Sequence, residues 1–81
     1  MKVLFQEISR YQDSAPTTAL VEVEGNLQDN LAAILVMAGY CPNLDDANEC
    51  IQYYKGDNII VKDDCVCLWG EEVDVIITVV G

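Results

Sequence analysis

The chain contains no histidine. That absence removes Ser-His-Asp and Cys-His catalysis, histidine metal ligands and histidine-based pH sensing together. Positive charge is nearly as scarce: four Lys and Arg stand against fourteen Asp and Glu, giving a net charge of −10 and a pI near 4.1. So acidic a chain repels phosphate backbones and anionic membranes, so direct nucleic-acid binding and membrane binding are not expected. Long apolar runs are missing as well. The longest, Leu31 to Ala38, falls far short of the roughly 20 residues that span a bilayer. Lys2 is followed only by Val3, Leu4 and Phe5 before Gln6 and Glu7 interrupt, which is no secretory signal. The expected location is therefore the cytoplasm.

Against these absences, 52% of the residues are hydrophobic and the mean hydropathy is +0.20, while proline and glycine together are few. Such a composition predicts folding, not disorder. Eighty-one residues hold one core, so the chain reads as a single domain spanning residues 1–81. The four cysteines, Cys41, Cys50, Cys65 and Cys67, are spaced C-x8-C-x14-C-x-C, and neither half is the C-x2-C knuckle of a zinc site. Reduced thiols acting as small hydrophobes are expected. Cys65 and Cys67, two apart in a strand pattern, should share one side of a sheet and lie in the core.

Periodicity orders the elements. Val3 and Phe5 alternate with Leu4, Gln6 and Ile8, predicting a strand over Lys2 to Ile8. Tyr11 to Pro16 reads as a loop, and Thr18 to Glu24 as a second strand that forms a hairpin with the first. Asn26 is placed to cap a helix running to Gly39, with Leu27, Leu31, Ile34, Leu35 and Ala38 at helical spacing. The second half of that helix is apolar nearly all round, which predicts a central position or an interface. Pro42 and Asn43 start a second helix with Asp45 and Asp46 in its first turn, a core face of Leu44, Ala47, Cys50, Ile51 and Tyr54, and closure at Lys55 and Gly56. Three strands follow, Asn58 to Lys62, Cys65 to Trp69 and Val73 to Val80. From Val75 to Val80 the last is apolar on both faces apart from Thr78, which places it at the sheet centre or at a subunit contact. The order ββααβββ predicts an α+β two-layer domain, an antiparallel sheet with two helices on one face.

No constellation for catalysis emerges. The acidic doublets Asp45–Asp46, Asp63–Asp64 and Glu71–Glu72 fall in a helix first turn and two tight turns, where carboxylates are solvated or held by backbone donors. A calcium loop, a Gly-rich phosphate cradle and a nucleophile elbow are all missing from the sequence. Neither an enzyme nor a cofactor is expected.

From Leu27 to Trp69 the helix, turn, helix and hairpin resemble the back half of a winged helix. A DNA reader needs Arg or Lys on its second helix, whereas this one carries Asp45, Asp46 and Glu49 with Gln52 and Tyr53. Residues three or four apart on a helix lie about 5 to 6 Å from one another, close to the separation of successive phosphates. Asp45, Asp46 and Glu49, with Asp63 and Asp64 in the predicted hairpin turn, can therefore imitate a phosphate array toward a basic groove. The simpler alternative is a solvated face that keeps the protein soluble. Solubility, however, asks a net charge of only about 2 to 8 in magnitude for a small domain.

A very small, acidic, histidine-free chain with a capped helix pair, Asn26 to Gly39 and Asn43 to Gly56, and an acidic hairpin resembles the phage-encoded inhibitors of bacterial defence, anti-CRISPR proteins among them. Gly25, Asn26 and Leu27 with the closing Asp74 to Val79 strand are also similar to acidic nuclease inhibitors of the barstar kind. These resemblances imply a non-enzymatic blocker of a basic, nucleic-acid-handling protein or complex in a bacterial host cytoplasm. Asp45, Asp46, Glu49, Asp63 and Asp64 are the expected contacts, with Tyr53 and Trp69 as aromatic anchors. The alternative is a small structural protein that self-associates as a homodimer through the last strand and first helix.

Overall fold

Alternation at the start of the chain produces the first strand, β1 (Lys2–Ser9), which buries Val3 and Phe5 and turns Leu4, Gln6 and Ile8 to the other side. The computed structural model describes residues 1–9, 17–54, 56 and 58–81; the expected loop from Tyr11 to Pro16 and the helix-closing Lys55 lie outside them. β2 (Thr17–Glu22) pairs antiparallel with β1, setting Val21 opposite Val3 and Ala19 opposite Phe5, so the hairpin brings matching apolar faces together.

Asn26 does act as a cap, its Oδ1 accepting the Asp29 N–H at 2.8 Å. What it starts is a single 3-10 turn, Gln28–Asn30, and the α-helix proper, α1, covers only Leu31–Met37. The shortening has a local cause. The Asn30 side-chain amide bends back to donate to the carbonyls of Glu24 and Asn26, each at 2.7 Å, and its backbone sits at φ −109°, ψ 5°, off the helical values. At the other end Gly39 ends the helix as expected. With φ at +81°, it lets the Tyr40 N–H reach the Leu35 carbonyl and its own N–H reach that of Val36, both at 3.0 Å, a Schellman closure.

The second helix, α2 (Leu44–Tyr53), is capped by Asn43, whose side chain accepts the Asp46 N–H at 2.8 Å. Ala47 and Tyr54 are buried and Cys50 and Ile51 half-buried, but Leu44, expected in the core, is 55% exposed. α2 packs against α1, and its first turn, ahead of the buried Ala47, is exposed throughout. Tyr40 joins the layers: its ring lies 5.7 Å from that of Phe5, and burial, with the neighbouring Tyr54 hydroxyl adding a smaller effect, drives its pKa far above the ordinary tyrosine value.

β3 (Ile59–Val61), β4 (Cys65–Trp69) and β5 (Val73–Val79) complete a five-stranded antiparallel sheet in the order β2-β1-β5-β4-β3. The molecule is thus the expected α+β domain. β5 lies in the middle, hydrogen-bonded to β1 on one side and β4 on the other, which accounts for its apolar character. Because β4 also pairs with β5, the β3–β4 hairpin is built into the sheet instead of standing free as a wing. One expectation reverses. β4 directs Val66 and Leu68 into the helix-covered core, so strand alternation puts Cys65, Cys67 and Trp69 on the opposite face of the sheet. The two thiols do share a side, with Sγ atoms 3.8 Å apart, but they are half-buried on the uncovered face.

Candidate functional site

On α2, Asp45, Glu49 and Tyr53 are spaced four residues apart and Asp46 falls three before Glu49, and all four are exposed. The helix therefore gathers three carboxylates and one aromatic ring on its outer side. Their positions follow from packing, since Ala47, Cys50, Ile51 and Tyr54 turn to the core and leave the opposite face to water. Asp46 has a local task as well: its backbone N–H completes the Asn43 cap and its carboxylate accepts weakly from the Asn43 amide at 3.4 Å. Tyr53 is 69% exposed and stands edge-on to Tyr54, ring centroids 5.3 Å apart. An exposed aromatic held by a buried neighbour is preorganised for contact.

Asp63 and Asp64 form the β3–β4 turn, both exposed. The Asp64 carbonyl accepts the Val79 N–H at 2.8 Å, and Asp63 lines a recess of about 190 Å³ with Asn26, Leu27, Gln28 and Lys62. This second acidic cluster is thus placed by the sheet, and the first by the helix. Trp69 belongs with neither. It is half-buried on the uncovered sheet face opposite Asp74, whose Oδ1 accepts the Gly70 N–H at 3.2 Å. The structure so separates the two aromatic candidates, Tyr53 on the helix layer and Trp69 on the far side of the sheet.

Charge is divided in the same way. Among the described residues, the lysines are Lys2 and Lys62, and strand alternation assigns both to the uncovered face, together with Glu22 and Asp74. Ten carboxylates lie elsewhere: Glu7 at a sheet end, Glu24 and Asp29 before α1, Asp45, Asp46 and Glu49 on α2, and Asp63, Asp64, Glu71 and Glu72 in two turns. The uncovered face is balanced and the rest of the described surface is acidic.

That face was not singled out by sequence reasoning. Beside the polar Gln6, Thr78 and Asp74, its middle strands carry Leu4 and Ile8 on β1, Ile76 on β5, and Cys65, Cys67 and Trp69 on β4, more apolar residues than a solvated antiparallel face ordinarily shows. The signal was present in the even positions of β1 and the odd positions of β4. Burial raises the Cys67 thiol pKa, with the Cys65 thiol adding to the rise and the Lys62 ammonium opposing it.

Among the described residues no three Cys, Asp or Glu side chains converge as a metal site, and no helix is long and apolar enough to cross a membrane. Comparison with known proteins finds no matching family model, no matching curated protein and no matching solved structure.

Proposed function

We propose that the protein is an acidic inhibitor that binds a basic, nucleic-acid-handling protein or complex and occupies its phosphate-binding surface, as the anti-CRISPR type of inhibitor it resembles does. The observation that supports this reading is the division of charge. Carboxylates at phosphate-like spacing on α2 meet no described lysine or arginine on their side of the molecule, so their field projects outward uncancelled. Asp45, Asp46 and Glu49 supply the charge, Tyr53 the anchor beside it, and Asp63 and Asp64 a second acidic point. Electrostatic complementarity of this kind gives fast, salt-sensitive association.

The test is a pull-down from a bacterial lysate at graded salt, with duplex DNA and RNA as competitors. The expected captive is a basic protein that nucleic acid displaces, that elutes between low and physiological salt, and that the folded double variant Asp45→Lys, Glu49→Lys no longer retains. Capture that survives high salt, nucleic-acid competition and both reversals refutes the reading.

A further inference from the structure

The helices cover one face of the sheet and leave the other open, although that open face carries apolar side chains on all five strands. On its three middle strands the apolar residues are Leu4, Ile8, Ile76, Cys65, Cys67 and Trp69, with Gln6, Thr78 and Asp74 set among them. At its flanks lie Thr18, Leu20 and Glu22 of β2, Lys2 at the start of β1, and Ile60 of β3 with Lys62 just beyond it; Leu20 and Ile60 are exposed. A sheet face that keeps apolar side chains on every strand, two of them exposed on the edge strands, marks a protein interface. We infer that a second copy of this chain covers the open face, the two sheets packing face to face as a sandwich.

Two observations select a second copy as the occupant. The first is charge. A basic partner gains nothing from a face on which Lys2 and Lys62 offset Glu22 and Asp74, and two chains of net charge −10 can meet at least cost through a face on which the described charges balance. The arrangement is also self-complementary. A two-fold axis running along β5, parallel to the strands, lays β1 over the second copy's β4 and β2 over its β3. Glu22 of β2 and Lys62 beyond β3 lie at the same end of the sheet and one row of residues apart, so each copy's carboxylate comes within reach of the other's flexible ammonium, twice. Ile8 and Trp69, which flank Asp74 on either side, come over the second copy's Trp69 and Ile8. Asp74 lies beside the axis at the opposite end, its carboxylate engaged with the Gly70 amide.

The second observation is size. Five strands about 4.8 Å apart and about 20 Å long give a face of roughly 480 Å² in projection, so pairing removes on the order of 1,000 Å² from water, the lower limit for a specific interface. The dimer should accordingly be of about micromolar strength and concentration-dependent. It does not depend on the proposed inhibitory role of α2, which faces away from this surface.

Sedimentation equilibrium over a range of concentrations, at physiological salt and with reductant present, is the direct test. Dimer is expected for the unaltered chain, and Ile76→Lys should raise the dissociation constant at least about tenfold while the far-ultraviolet spectrum stays native. Should Ile76→Lys unfold the protein, the rim decides instead. Glu22→Lys and Lys62→Glu should each weaken pairing by about three- to tenfold, and the two together should restore it. A chain that remains monomeric at several hundred micromolar overturns the inference and leaves the face to a different protein. A dimer indifferent to Ile76→Lys overturns it too, and a double reversal that fails to restore pairing overturns the axis along β5.

Discussion

Cys50 illustrates how a single side chain reports its packing. Burial between α2 and the loop that carries Cys41 pushes its thiol up from 9.0 to about 11, the neighbouring Cys41 adding a smaller effect, and Cys41 is raised by burial as well. In the unfolded chain these thiols ionise near 9.0, while the folded protein holds the Cys50 proton to about 11. The unfolded state is therefore the one stabilised by proton loss between those values, so stability that is complete below pH 9 declines as the pH rises through 11. The thermal midpoint should fall over that window, less steeply in Cys50→Ala than in the parent because one of the three raised thiols, Cys41, Cys50 and Cys67, is gone. Identical slopes would disconnect the thiol from the decline. Cys65 and Cys67 show a residue-level limit of the opposite kind: their spacing put them on one face of a strand, but which face was core depended on Val66 and Leu68 meeting helices that the local sequence does not contain.

At the level of elements, caps and glycines were the legible signals and contacts between elements were not. Asn43, Asn26 and Gly39 each perform the local task their chemistry suits, because a cap is decided within four residues. The prediction from Asn43 is direct: Asn43→Ala should lower stability by about 1 kcal/mol in chemical denaturation, since the Asp46 N–H loses its acceptor. A change within error would mean that Asp46, through its own carboxylate, or water serves equally well. Leu44 was misplaced for a different reason. Helical spacing assigns it to the same stripe as Ala47 and Ile51, and only the tertiary seating of α2, which buries Ala47 and leaves the first turn exposed, keeps it in water. Likewise the strands were visible one by one, whereas the order β2-β1-β5-β4-β3 required knowing that the last strand inserts between the first and the fourth. The acidic stripe Asp45, Asp46, Glu49 was legible because it belongs to one helix; the open sheet face was not, because it is assembled from residues up to seventy positions apart.

For the whole molecule the deciding quantity is the range of its own field. At about 0.01 M salt the Debye length is about 30 Å, comparable with the molecule's 34 × 25 × 24 Å, so every carboxylate repels every other. At about 0.15 M it is about 8 Å, and only neighbours within one cluster still interact. Folding gathers a net charge of −10 into that volume, so screening should raise the thermal midpoint between these two salt concentrations, most clearly in samples dilute enough to be monomeric. Pairing through the open face adds a second contribution with the same sign. Association of two acidic chains also strengthens as repulsion is screened while apolar burial persists, and binding to the native state alone raises the midpoint by mass action. The salt-induced rise should consequently be larger at high protein concentration than at low. Capture of a basic partner by α2 has the opposite sign, weakening with salt, so one titration separates the two surfaces. A midpoint that falls with salt in dilute samples would mean that attractive pairs outweigh the repulsion among the carboxylates, and the outward acidic field on which the inhibitory reading depends would be lost with it.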